Sequence, residues 1–122
     1  MQKLAFKKMI DKPKILVVCG RNKRRSRTAE YIFKNDSRFN IRSAGLSSKS
    51  DVQINEKLIS WADLIFVMDN GQRGRIQNQF RSLNIPSIYS LDIPDEYEYL
   101  DEELIALLKT RINGTLRTEY NL

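Results

Sequence analysis

The segment Cys19 to Ser26 reads Cys-Gly-Arg-Asn-Lys-Arg-Arg-Ser, which sets a thiol six positions ahead of a guanidinium, Arg25, and seven ahead of a hydroxyl, Ser26. Cys19 also directly follows the apolar run Ile15-Leu16-Val17-Val18. A thiol that ends a buried strand and precedes a helix is ringed by backbone N–H groups and by the positive helix end, both of which favour the thiolate nucleophile. The loop amides of Gly20, Arg21, Asn22, Lys23 and Arg24 are placed to encircle phosphate oxygens. Arg25 is placed to clamp two of them in bidentate fashion, and Ser26 to donate to the sulfur as it leaves in a second step.

The chain contains no histidine and a single cysteine. A Cys-His pair, a Ser-His-Asp triad and a histidine-ligated metal are therefore excluded, and one cysteine builds neither a zinc site nor a thiol-disulfide relay. No metal or cofactor is expected. A lone cysteine at a strand end is by default a small buried residue, and only its spacing to Arg25 and Ser26 argues for more. If Cys19 is reactive, loop and helix electrostatics must activate it.

The formal net charge is +6 and the pI about 9.6. Its distribution is uneven: Arg21, Lys23, Arg24, Arg25 and Arg27 crowd the loop, whereas Asp92, Asp95, Glu96, Glu98, Asp101, Glu102 and Glu103 crowd a later segment. A basic pocket facing an acidic segment suits a phosphorylated protein or a small phosphomonoester. A nucleic-acid partner reached through the basic loop is the less favoured reading.

The elements that must position this loop alternate along the chain. Apolar runs predict strands at 14–18, 39–43, 64–68 and 85–91. Helical spacing predicts helices at 26–34, 51–62, 71–83 and 101–116, the last with Leu104, Leu108, Ile112 and Leu116 four apart. Such alternation implies one α/β domain of 122 residues, a three-layer sandwich with a four-stranded parallel sheet, helices on both faces and a phosphate-binding loop after the first strand. Ligands of such sheets lie beyond the carboxyl ends of the strands, where the Cys19 loop falls.

With these features the chain resembles the low-molecular-weight protein tyrosine phosphatase family, and within it a short bacterial branch. The resemblance spans about residues 15–105 and rests on Val17-Val18-Cys19 with Asn22, Arg25 and Ser26. In order there follow Thr28-Ala29-Glu30, Ser43-Ala44-Gly45, Ala62-Asp63-Leu64-Ile65 with Met68-Asp69, and Ile93-Pro94-Asp95-Glu96-Tyr97. It implies that Cys19 forms a phosphocysteine intermediate and that Arg25 holds the substrate. By the same resemblance Asn22 keeps an unusual backbone conformation with Ser43 as its support, and Tyr97 forms an aromatic wall. Several positions differ from the family. Arg21 and Glu96 stand where it has glycine and proline, and Arg24 replaces a second cysteine, so protection by an internal disulfide is not available. Lys23 replaces the threonine of phosphoarginine-specific members.

An in-line displacement needs a proton donor on the leaving-group side. Without histidine the donor must be a carboxylic acid, and Asp92 and Asp95 stand on either side of Pro94. The resemblance favours Asp95, because Tyr97 follows it closely. The expected activity is metal-independent hydrolysis of a phosphomonoester, with protein phosphotyrosine as the first candidate substrate. The alternative is a phosphate-binding module with weak turnover that recognises phosphoprotein or nucleic-acid phosphates. Residues 1–13 are expected to form an N-terminal extension to a phosphatase-like domain at 14–122. A monomer or weak dimer in the cytoplasm, away from membranes, is expected, since a lone reduced thiol is usual there.

Overall fold

The computed structural model describes residues 12–122, so nearly all of the expected N-terminal extension lies outside the described residues. The elements are β1 (Lys14–Cys19), α1 (Arg25–Phe33), β2 (Asn40–Gly45), α2 (Glu56–Trp61), β3 (Leu64–Val67), α3 (Asn70–Gln79), β4 (Ser87–Ser90) and α4 (Glu102–Tyr120). The strands pair in parallel in the order β2-β1-β3-β4. This is the expected α/β sandwich.

Strand β1 is central, which explains its unbroken apolar run. Successive side chains point to opposite faces, so Ile15, Val17 and Cys19 join one core while Leu16 and Val18 join the other. The first core is completed by Ala29 and Phe33 of α1 and by Leu104, Leu108, Ile112 and Leu116 of α4. The second is closed by Leu58 and Ile59 of α2, Ile76 of α3 and Phe80 just beyond it. The helices thus cover both faces of the sheet. None of the helices among the described residues is long and apolar enough to cross a membrane.

The boundaries differ from the sequence reading in ways that local bonding explains. Residues 51–55 are not helical, because this segment bonds to the backbone of Gly45: the Gly45 N–H donates to Val52 O at 2.8 Å and its carbonyl accepts from Ile54 N at 2.9 Å. Helix α2 then starts late, where the Asn55 side chain accepts from Leu58 N. Helix α3 stops at Gln79 rather than continuing to Leu83, and α4 runs one apolar step further, to Tyr120. Asp101 caps α4 by accepting from Glu103 N and Leu104 N.

Candidate active site

In the loop after β1 the first carbonyls are occupied, while the amides have no partner among the described residues. Leu46 N donates to Cys19 O at 3.0 Å and Ser47 N to Gly20 O at 2.8 Å. The backbone N–H groups of Gly20 to Arg24 donate to no acceptor among the described residues. A loop with unpaired amides at a helix N-terminus is an anion cradle. The end of β2 packs close beneath it: a Cβ on Gly45 would collide with Ser50 Oγ and stand 2.7 Å from Asn22 N. Glycine in the Ser43-Ala44-Gly45 segment is therefore a requirement of close approach.

Asn22 adopts the left-handed backbone conformation, φ 56°, which asparagine tolerates better than most residues. Its side chain is fully buried, and its Nδ2 donates to Ser26 Oγ and to Ser43 Oγ, both at 2.9 Å. Ser43 in turn donates its only hydroxyl proton to Glu30 Oε1 at 2.8 Å. Ser26 Oγ lies 2.9 Å from Cys19 Sγ. These bonds run in one direction. Glu30 takes the Ser43 proton, Ser43 accepts from Asn22, and Asn22 fills a lone pair of Ser26, which leaves the Ser26 proton to point at Cys19 Sγ.

Glu30 is the site residue that the sequence reading missed. A glutamate on an amphipathic helix reads as solvated surface, and nothing in its spacing marks it as the end of a hydrogen-bond chain. Glu30→Ala is expected to lower kcat about tenfold, the loss of one charge-assisted hydrogen bond of about 1.5 kcal/mol. Glu30→Gln, which keeps an accepting oxygen, should recover most of that loss. Steady-state kinetics of the two variants check this, and a normal Glu30→Ala rate would contradict it.

Arg25 opens helix α1 and is only 6% exposed. Its Nη1 donates to the carbonyl of Ile93 at 2.7 Å, which fixes the guanidinium plane, and its Nε lies 3.7 Å from Asp95 Oδ1. The Asp95 side chain is 66% exposed, so this contact is worth under about 1 kcal/mol. Such a contact is readily displaced. Cys19, Gly20, Arg21, Lys23, Arg24, Arg25 and Asp95 together line one cavity of about 360 Å³.

The segment carrying Asp95 is held at both ends. On one side Leu91 and Ile93 are buried and hydrogen-bonded to β3 and its end, Leu91 N to Val67 O and Ile93 N to Met68 O. Arg111 of α4 donates to the carbonyls of Leu91 and Asp92. On the other side Leu100 N donates to Thr28 Oγ1 of α1 at 3.0 Å. Asp92 and Leu100 both take positive φ, 53° and 63°, and bracket the segment.

The two candidate acids are separated. Asp92 accepts from Ser90 Oγ at 2.8 Å and lines a different groove, between β4 and α4, whereas Asp95 lines the same cavity as Cys19. Tyr97 is not among the residues lining the cavity; it packs against the α1/α4 core. Desolvation raises its phenol pKa, and the nearby Glu103, Glu96 and Asp101 raise it further. Arg24 meets Glu98 at 3.8 Å, a contact exposed on both sides.

No protein-family model matches the chain, and no curated protein does. Solved structures do. The low-molecular-weight protein tyrosine phosphatase SP-PTP of Streptococcus pyogenes superposes with a TM-score of 0.73 at 20% identity, over 87% of this chain and 92% of that one. The tyrosine phosphatase amsI of Erwinia amylovora gives 0.68 at 21% identity, over 91% and 94%. The arginine phosphatase YwlE of Geobacillus stearothermophilus gives 0.62 at 20% identity, over 88% and 94%. The sheet order, the loop after β1 and the match over nearly the whole length of these proteins give this chain the fold of the low-molecular-weight protein tyrosine phosphatases.

Proposed function

We propose that residues 14–122 form a phosphomonoester hydrolase working by two displacements on Cys19, with no metal ion required. The observation that carries this reading is the convergence of thiol, guanidinium, free loop amides and one carboxyl group on a single cavity. In the first step Cys19 Sγ attacks phosphorus, the P–O bond to the leaving group breaks, and Asp95 gives its proton to the departing oxygen. Arg25 and the loop amides hold the equatorial oxygens, where charge is spread in the transition state. In the second step Asp95 takes a proton from water as the water oxygen bonds to phosphorus. The P–S bond then breaks, and Ser26 donates to the thiolate that leaves.

Asp95 is the proposed acid and Asp92 is not, because only Asp95 lines the Cys19 cavity. Asp95→Asn should slow a poor leaving group such as phenyl phosphate about 10²–10³-fold, within the usual reach of general acid catalysis, and slow para-nitrophenyl phosphate far less. A leaving-group series on both proteins, with chelator present, tests the reading. Equal loss on every ester would remove Asp95 from the acid role, and activity lost to chelation would remove the metal-free mechanism.

Protein phosphotyrosine as the substrate draws support from the names of two of the matched structures. The lining of the cavity contributes no aromatic ring to that choice. Selection of the leaving group therefore falls to surfaces outside the cavity. A reducing compartment such as the cytoplasm suits an enzyme whose nucleophile has no second cysteine to shield it.

A further inference from the structure

Hydrolysis at Cys19 leaves unexplained a strip of cations and rings that starts at the cavity and leads away from it. Arg21 and Lys23 are exposed on the cavity rim and form no ion pair or hydrogen bond through their side chains with any described residue. Lys23 also lines a second cleft, with Arg27, Asp51 and Tyr99. That cleft shares Arg27 and Tyr99 with a third, to which Tyr31 and Lys34 contribute. The three openings are thus contiguous through shared residues.

Their order follows the helix. Arg27, Tyr31 and Lys34 are spaced by four and three, which puts them on one face of α1 and its C-cap, and Lys23 precedes them in the loop. At about 1.5 Å per residue the helical part of the strip is about 10 Å long. Tyr99, from the segment that carries Asp95, stands edge-on to Tyr31 with ring centroids 6.3 Å apart. The two rings are 50% and 44% exposed, among the most exposed large apolar side chains of the fold. Lys34 Nζ lies 4.4 Å from the Tyr31 ring centroid.

The two acids in these clefts are already engaged, Glu30 by Ser43 and Asp51 by Arg27 at 2.9 Å. The Arg27–Asp51 pair is exposed on both sides and worth under about 1 kcal/mol, so an incoming phosphate competes for Arg27 on favourable terms. An acidic peptide would use the cations but has no call on two exposed rings. Cations interleaved with exposed aromatic rings are the pattern that holds a single strand, charges on its backbone and rings on its bases.

We propose that this strip binds single-stranded nucleic acid whose terminal phosphate lies in the Cys19 cavity, so that oligonucleotides with a terminal phosphomonoester are a substrate class of the enzyme. The proposal rests on the hydrolytic reading above for turnover, but its binding half stands apart from it. Lys23, Arg27 and Lys34 would meet successive backbone phosphates, and Tyr99 and Tyr31 would meet bases.

The test uses full-length Cys19→Ser protein and a hexathymidylate carrying a phosphate at one end and fluorescein at the other. Binding is followed by fluorescence anisotropy between about 50 and 200 mM salt. Adding Lys34→Glu and Tyr99→Ser, both at exposed positions, should weaken binding at least about tenfold, the loss expected for one stacked base and one cation. The salt slope of log affinity should stand near −2 for three phosphate contacts and become shallower in that variant. In otherwise wild-type protein the same two substitutions should lower kcat/KM for the oligonucleotide, relative to that for para-nitrophenyl phosphate, by a similar factor. An affinity indifferent to them would overturn the proposal. So would an acidic phosphotyrosine peptide of equal charge that binds more tightly and is weakened by the same substitutions, which would assign the strip to protein partners. If wild-type protein hydrolyses nothing, the hydrolytic reading fails and with it the substrate assignment, while the anisotropy still decides whether the strip holds a strand.

Discussion

Cys19→Ser is expected to reduce kcat for para-nitrophenyl phosphate by about 10⁴-fold or more, the scale of losing a nucleophile outright. A serine hydroxyl at that position is a far weaker nucleophile at neutral pH, because the loop stabilises an anion that serine does not readily form. The rest of the cradle should survive. The amides of Gly20 to Arg24 and the Asn22 bonds to Ser26 and Ser43 do not pass through sulfur. Inorganic phosphate should therefore still bind to Cys19→Ser protein, as titration calorimetry would report. A variant that keeps its rate would show that Cys19 is a buried strand residue with no chemical role. A variant that loses phosphate binding as well would show that the sulfur holds the loop together.

Arg25→Lys should lower kcat/KM by about 10²–10³-fold, the range for removing a preorganised donor to developing charge. The charge is retained, so a purely electrostatic role would predict a small effect. The guanidinium has a more specific task. Its Nη1 is anchored on Ile93 O at 2.7 Å, and the remaining donors of the planar fork are aimed at the cavity. An ammonium is a point charge on a flexible stem, unable to make the Ile93 bond and grip two phosphate oxygens together. Leaving the Ile93 carbonyl unsatisfied adds to the loss. A near-normal rate for Arg25→Lys, measured alongside a melting curve to establish folding, would mean that bidentate binding is not how this loop works.

The proposed nucleophile, the buried arginine and the sheet around them were legible because they are encoded locally. Cys19, Arg25 and Ser26 sit within one loop and the first turn of one helix, and the burial of β1 on both faces appears directly as its apolar run. The proposed acid was half legible: two aspartates three residues apart are equivalent in sequence. They are told apart only by the cavities they line, Asp92 the groove beside α4 and Asp95 the cavity of Cys19. Tyr97 shows the limit of transferring a side chain by position, since an aromatic near a core edge packs into it when the segment permits. Thr28 and Glu30 stood in the matched segment, but their partners were not legible. Each acts across 13 or more residues, on Ser43 and on Leu100, through contacts that exist only once β2 and the acid segment have docked on α1.

The pinning of the acid segment also bears on motion. Its ends are fixed on β3, α4 and α1, while Asp95 between them is mostly exposed and only weakly held by Arg25. Local displacement of Asp95 as substrate enters is then less costly than movement of the whole segment. In the proposed mechanism the acid is thereby held by the same arginine that would bind the phosphoryl group.

The most direct test of the mechanism is to trap the intermediate. Wild-type protein mixed with radiolabelled phosphotyrosine or para-nitrophenyl phosphate, quenched within milliseconds in acid and digested, should carry label on the peptide containing Cys19, with the acid stability of a phosphothioester. Cys19→Ser protein should give no such species. Turnover without label on Cys19 would contradict the covalent mechanism and return the residue to the core of the sheet.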